Sequence, residues 1–370
     1  MNYSFKVLLL FTLSVCSVAP CYSAETRVIN DMTGRQVEVP VVVDRVLCSG
    51  PGCLRYLTYI QGQNLVVGVD SIEKRLNRFD ARPYALANPQ FREKPLFGDF
   101  RGHDNPELIL GLKEQPQVIF KTFKNMGYDA DELQKKTGIP VVCLSYANLV
   151  FGRQVIYDSL MLMGDIIGKK ERATEICTFI EKNINDLEQR AAGIPKSTQY
   201  SVYIGGIAKK GPHGFQSTEP GYPPFYFVNA INVASSSGKK NNPLQHANVS
   251  REQIVSWNPD ILFVDLASTQ LGTNAGAVYE LRTDPAYQSL AAVREGNVYG
   301  VLPYNWYTMN YGSIIANAYF IGKVLYPERF TDIDPQIKAD EIYTFMVGKP
   351  VLSLMDRFFG GLVFKPVPLD

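Results

Sequence analysis

The sequence predicts an α/β protein of two lobes, each built on a mostly parallel sheet and hung from one long helix. Three observations carry this reading. Residues 169–192, KKERATEICTFIEKNINDLEQRAA, place Ala173, Ile176, Cys177, Ile180, Ile184, Leu187 and Ala191 along one helical face, with Lys, Glu, Asn and Gln outside. Before this helix, short apolar runs alternate with helical stretches. After it, the same alternation starts afresh. Gly193 and Pro195 stop the helix, which at 1.5 Å per residue spans about 35 Å. An amphipathic helix packed on a single domain has the same periodicity; the restarted pattern is what favours a spine between lobes 25–168 and 193–370.

The chain has 370 residues, 46% hydrophobic and 20% charged, enough for two cores. A net charge of +1 gives no reason to expect nucleic acid or an anionic membrane as partner. Residues 1–24 read as a signal peptide: Lys6, the apolar run Val7–Val18, then the small residues Ser23 and Ala24. That run is short for a bilayer span. Cys21 is an alternative lipid acceptor, although Pro20 suits that role poorly. The expected location is therefore periplasmic. Four cysteines follow the leader. Cys143 and Cys177 fall on apolar patterns and read as core; Cys48 and Cys53 flank a turn and are spaced for a local bridge.

In chain order, Arg27 onward alternates as a hairpin turning at Thr33-Gly34. Arg45–Cys48 runs into Ser49-Gly50-Pro51-Gly52, and Cys53–Ile60 reads as helix. A strand, glycine turn and helix start point backbone N–H groups at an anion; a tight turn without ligand uses the same residues. Val66–Val69, Leu96–Gly98, Val118–Lys121 and Val141–Leu144 read as buried strands, with a basic loop at Ser71–Arg82. Past the spine come strands at Tyr200–Gly205, Ile261–Asp265 and Val298–Leu302, a helix at Ala286–Val293, and a last long helix at Tyr311–Tyr326. The stretch 211–227, GPHGFQSTEPGYPPFYF, has the proline-rich, aromatic makeup of a pocket wall.

Two passages match each other across the halves. Asp104-Asn105-Pro106-Glu107-Leu108-Ile109 precedes Pro116-Gln117-Val118-Ile119-Phe120, and Val249-Ser250-Arg251-Glu252-Gln253-Ile254 precedes Pro259-Asp260-Ile261-Leu262-Phe263. With the spine and leader, they resemble the helical-backbone (class III) substrate-binding proteins of ABC importers for vitamin B12, ferric siderophores and haem. The resemblance runs from about Arg45 to Leu325. It implies two Rossmann-like lobes, a ligand cleft between them, no catalysis and no cofactor, and a monomer serving a permease dimer with its ATPase. It also implies that Glu107 and Glu252 dock on permease arginines; both also suit plain helix-start carboxylates. Where B12-binding members carry an aromatic platform before the first glutamate, this chain reads Phe100-Arg101-Gly102-His103.

Open α/β sheets bind ligands at strand ends. The candidate lining is Ser49, Gly50, Pro51, Gly52, Phe100, Arg101, His103 and Tyr146 from the first lobe. His213, Ser217, Thr218, Tyr304, Asn305, Trp306 and Tyr307 come from the second. Aromatic faces suit a large chelate, while Arg, His and N–H groups suit negative charge. A ferric chelate of net negative charge satisfies both; molybdate or tungstate satisfies the second. No set of residues prompts a bare metal site, and His103, His213 and His246 lie far apart in sequence. Neither G-x-S-x-G nor H-E-x-x-H occurs; a chelatase-like enzyme is the rival class.

Overall fold

The computed structural model describes residues 25–75, 78–235 and 244–369; the leader read at 1–24 lies outside them. Thr26–Asn30 and Gln36–Pro40 pair antiparallel as expected, with Gly34 at φ +81° in the turn, where a side chain would be strained. The first lobe carries a parallel sheet in which Val118–Thr122 lies between Val46–Ser49 and Val141–Leu144. A smaller sheet of Val69–Asp70, Leu96–Asp99 and His103–Asp104 extends it. In the second lobe Ile231–Asn232, Ser201–Gly205, Ile261–Asp265 and Val298–Val301 are all parallel, in that order.

The spine runs from Lys170 to Ala191 and buries Ala173, Ile176, Ile180, Asn183, Ile184, Leu187 and Ala191. Cys177, read as part of the stripe, is only half-buried at its edge. One hydrophobic core takes in both sheets and this helix, so the lobes are joined through packed side chains rather than through a linker. The helix read at Ala286–Val293 is two short ones, Pro285–Gln288 and Ala291–Arg294, because Leu290 is extended between them (φ −63°, ψ 135°).

Several helices escaped the reading, among them Ala130–Thr137, Arg153–Ile166, packed along the spine, Ala277–Thr283, Pro335–Val347 and Leu352–Phe358. Pro335–Val347 crosses back to pack on Cys53–Tyr59 and Pro83–Ala87 of the first lobe. Its Phe345 ring stacks on Phe179 of the spine at 4.0 Å between centroids. All four cysteines are thiols; Cys48, Cys53 and Cys143 are buried, and Cys53 Sγ donates to the Phe120 carbonyl at 3.3 Å. No helix among the described residues is long and apolar enough to cross a membrane.

Candidate functional site

A cleft of about 640 Å³ opens between the strand ends of the two lobes. Of the loop Ser49–Gly52, only Pro51 reaches its wall. Gly50 and Gly52 are needed for close packing: a Cβ would come within 2.7 Å of the Thr122 carbonyl oxygen at Gly50, and 2.3 Å of the Tyr146 ring at Gly52. Both also have φ near +85°, so the turn is tight and filled rather than an open N–H cradle. Ser49 is buried and donates to Asp104 Oδ2 at 2.8 Å.

Beneath the wall, Lys121 Nζ meets the same carboxylate oxygen at 2.7 Å, with both side chains fully buried. Burial pushes the Asp104 carboxyl up while Lys121 pulls it down, and burial prevails. Lys121 also donates to the Gly102 carbonyl at 3.2 Å, which pins the turn carrying Phe100 and Arg101. Phe100 and Arg101 line the cleft; His103 is exposed on the strand beyond the turn.

The C-terminal contribution is the loop Asn305–Met309, and the first lobe holds it. Buried Arg55 donates to the carbonyls of Trp306 at 3.0 Å, Tyr307 at 3.1 Å and Met309 at 2.9 Å. Tyr146, stacked on Tyr56 and Tyr311, lies behind the wall, and its hydroxyl also donates to Met309. The Arg101 amide donates to Tyr307 Oη at 2.9 Å, and that hydroxyl donates to Asp70 at 2.6 Å. Burial, with Glu73 nearby, pushes the Asp70 carboxyl up to about 7. Backbone strain concentrates here: five of the nine described non-glycine residues with positive φ line the cleft, namely Arg101, Phe123, Lys210, Tyr307 and Thr308.

The charged groups of the wall are Arg75, Arg101, Lys209 and Lys210, without a carboxylate. None of the four is in an ion pair among the described residues. The Arg75 and Arg101 guanidinium carbons lie 4.3 and 5.2 Å from the Phe100 ring centroid, in cation–π range. Sequence reasoning missed Arg75, Lys209 and Lys210. The signals were present, one in the basic loop and the other as a Lys-Lys-Gly turn after a strand.

The remaining candidates divide, some standing apart from the cleft and some lining it. His213 sits in a hollow of about 260 Å³ beside Glu280 and Asp284, its ring 5.8 Å from that of His246. Ser217 is buried, donating to the Ile207 carbonyl at 2.7 Å and lying 2.9 Å from His246 Nε2. Thr218 is buried, and Tyr304 is buried against Glu219, whose carboxyl burial pushes up to about 8. Asn305, Trp306 and Tyr307 line the cleft. No group of three or more His, Cys, Asp or Glu among the described residues could hold a metal ion.

Glu107 and Glu252 are exposed on the first turns of Pro106–Leu110 and Arg251–Trp257. Asn105 accepts from Leu108 N at 3.0 Å and Ser250 from Gln253 N at 3.2 Å, so each helix start is capped by another residue. Glu252 pairs with Arg251 at 3.3 Å.

The chain matches the periplasmic binding protein family over residues 62–304. It is 22% identical over 344 residues to the molybdate-binding protein MolA of Haemophilus influenzae, covering 86% of this chain and 90% of that one. It is 25% identical over 211 residues to the iron-uptake system-binding protein of Bacillus subtilis, covering 53% and 57%. A periplasmic solute binding protein from Veillonella parvula shares the fold with a TM-score of 0.68 at 18% identity, covering 92% of this chain and 97% of that one. With a family match over more than half its length, the chain belongs to the periplasmic binding proteins, as an extracytoplasmic substrate-binding protein of an ABC importer and not a chelatase-like enzyme.

Proposed function

We propose that the protein captures an anionic metal complex, above all an iron(III) chelate, and delivers it to the membrane permease. One observation supports this most: among the described residues, the cleft wall carries four cations outside any ion pair, the rings of Phe100, Phe123, Trp306 and Tyr307, and no carboxylate. Cations without internal partners favour an anionic guest, and ring faces favour one with an organic body. A cleft of about 640 Å³ is in the range of sites for drug-sized ligands and has more room than a tetrahedral oxyanion fills. Molybdate or tungstate is the second reading, favoured by the name of the Haemophilus relative.

In this reading residues 1–24 are an export leader, the lobes span 25–168 and 193–370, and the protein acts as a monomer. Glu107 and Glu252 are the docking groups. Elemental analysis with native mass spectrometry of protein purified from its own host tests the ligand. Iron with an added organic mass supports the chelate; molybdenum or tungsten without one overturns it. Reversing both glutamates to Lys should abolish uptake in cells while leaving ligand affinity intact, since like charges then face each other across the interface. Normal uptake would make them ordinary helix-start carboxylates.

A further inference from the structure

The second lobe carries a hollow opposite in character to the cleft. It measures about 260 Å³ and is lined by Gln216, Asn248, Glu280, Asp284 and Tyr287, with His213 at one side and no Lys or Arg among the described residues. Glu280 is fixed in place: its Oε2 accepts from the Phe215 amide at 2.8 Å, and a side chain at Gly214 would collide with its Oε1. Glu280 is in no ion pair among the described residues. Tyr287 is 1% exposed, yet its hydroxyl has no hydrogen-bond partner among the described residues. Burial, with Glu280 and Asp284 nearby, pushes that hydroxyl up to about 12. A buried hydroxyl costs stability unless something pairs with it. The hollow adjoins the helix start that carries Glu252. Asp284 Oδ2 pairs with Arg251 at 3.0 Å, and Arg251 pairs with Glu252 at 3.3 Å. Asn248 lies two residues before Ser250, the cap of that helix.

We propose that this hollow is a docking socket that receives one basic side chain of the membrane permease, beside Glu252. The inference rests on the docking reading above. Glu280, the side-chain carbonyls of Gln216 and Asn248 and the Tyr287 oxygen all accept hydrogen bonds, so an ammonium or guanidinium group is the complementary guest. A volume of about 260 Å³ falls below the range of small-molecule pockets, about 300–1,000 Å³, and suits a single side chain presented by a partner. No three metal-ligating side chains converge here among the described residues. Glu252 alone is the weaker anchor, because Arg251 already shares its carboxylate.

The test measures binding of the full chain to the permease–ATPase complex of its own host, reconstituted in nanodiscs, by biolayer interferometry. Glu280→Gln removes the charge and keeps an oxygen for the Phe215 amide, so the variant should fold; circular dichroism checks this. The expected result is a complex at least about tenfold weaker, from lost hydrogen bonds to a charged group. Tyr287→Phe should weaken the complex about threefold while its melting temperature stays level or rises, since it loses no internal hydrogen bond. A lower melting temperature with an unchanged complex would make Tyr287 a plain core residue and overturn its place in the socket. Wild-type affinity in Glu280→Gln, with Glu107→Lys plus Glu252→Lys failing to bind, overturns the socket and leaves the two-glutamate docking standing. Equal binding by wild type and every variant overturns that docking reading as well. Saturable calorimetric binding of zinc chloride to wild type that is lost in Glu280→Gln assigns the hollow to a free cation and overturns the socket.

Discussion

On the first lobe's side of the cleft, two guanidinium groups rest against Phe100, above a buried Lys121–Asp104 pair that fixes their turn. On the second lobe's side, two ammonium groups stand on a turn closed by Lys209 N–H donating to the Gly211 carbonyl at 3.0 Å. The carboxyls buried in that lobe, Glu219 and Asp265, have no cation beside them; burial pushes them up to about 8 and about 7. Beneath its wall the first lobe thus pairs its buried charge at Lys121–Asp104, although its Asp70, accepting from Tyr307, is raised to about 7 like the acids of the second lobe, and it presents oriented forks. The second buries neutral acids and presents point charges on mobile stems. One wall selects geometry and the other adds attraction.

Removing the paired foundation should have the largest effect. Asp104→Ala leaves Lys121 buried without its partner and should cost about 3–5 kcal/mol of stability in urea melts. The double variant Asp104→Leu plus Lys121→Met should recover much of that loss, because it removes both charges. If the single change is mild, the two foundations do not differ as described.

Ligand recognition comes next. Arg75→Ala and Arg101→Ala should each weaken calorimetric affinity for the anionic ligand by about 1.5–3 kcal/mol. Lys209→Ala or Lys210→Ala should each cost no more than about 1 kcal/mol, and less as salt rises. Equal losses on the two walls would erase the distinction between fork and point charge.

The pH dependence of stability tests the buried acids of both lobes. Folding raises Asp70, Glu219 and Asp265 to about 7, about 8 and about 7 from 3.8, 4.5 and 3.8. The folded state therefore holds more protons than the unfolded chain between those values. Stability from these groups is present below the unfolded pKa values and is lost as pH rises through 7 to 8. Asp332, lowered to about 2 by Arg190, acts oppositely and loses its contribution as pH falls. Thermal melts should drop from about pH 4 to about pH 8 and level off above, and Glu219→Gln should flatten that drop. A melting temperature rising over this range would contradict neutral burial.

Much of the fold was legible because buried strands and the spine carry strong local patterns. Val141–Leu144 and Ile261–Asp265 have the bounds their apolar runs suggest, and the spine is shorter by one residue at each end. Pro335–Val347 buries a stripe of Ala339, Ile342, Tyr343, Met346 and Val347, but it was missed because Ile337 and Phe345 fall outside that stripe and blur the pattern. The site was harder to read. Strand-end logic selects loops but not which side chains turn inward: Gly50 and Gly52 looked like an anion cradle and are occupied by Thr122 and Tyr146. Arg75 could be read only as one member of a basic loop; that it lies against the Phe100 ring in the cleft is a tertiary contact no local pattern shows.

The return of Pro335–Val347 to the first lobe also bears on how the chain acquires its structure. Cys53–Tyr59 and Pro83–Ala87 are covered by residues made some 250 positions later, so synthesis order and folding order cannot coincide. A first lobe emerging alone has an apolar face left uncovered until those residues arrive. Pulse-labelling hydrogen exchange on a chain truncated at residue 330 should find the amides of those two helices poorly protected, and full protection there would show that the lobe closes without its last helices.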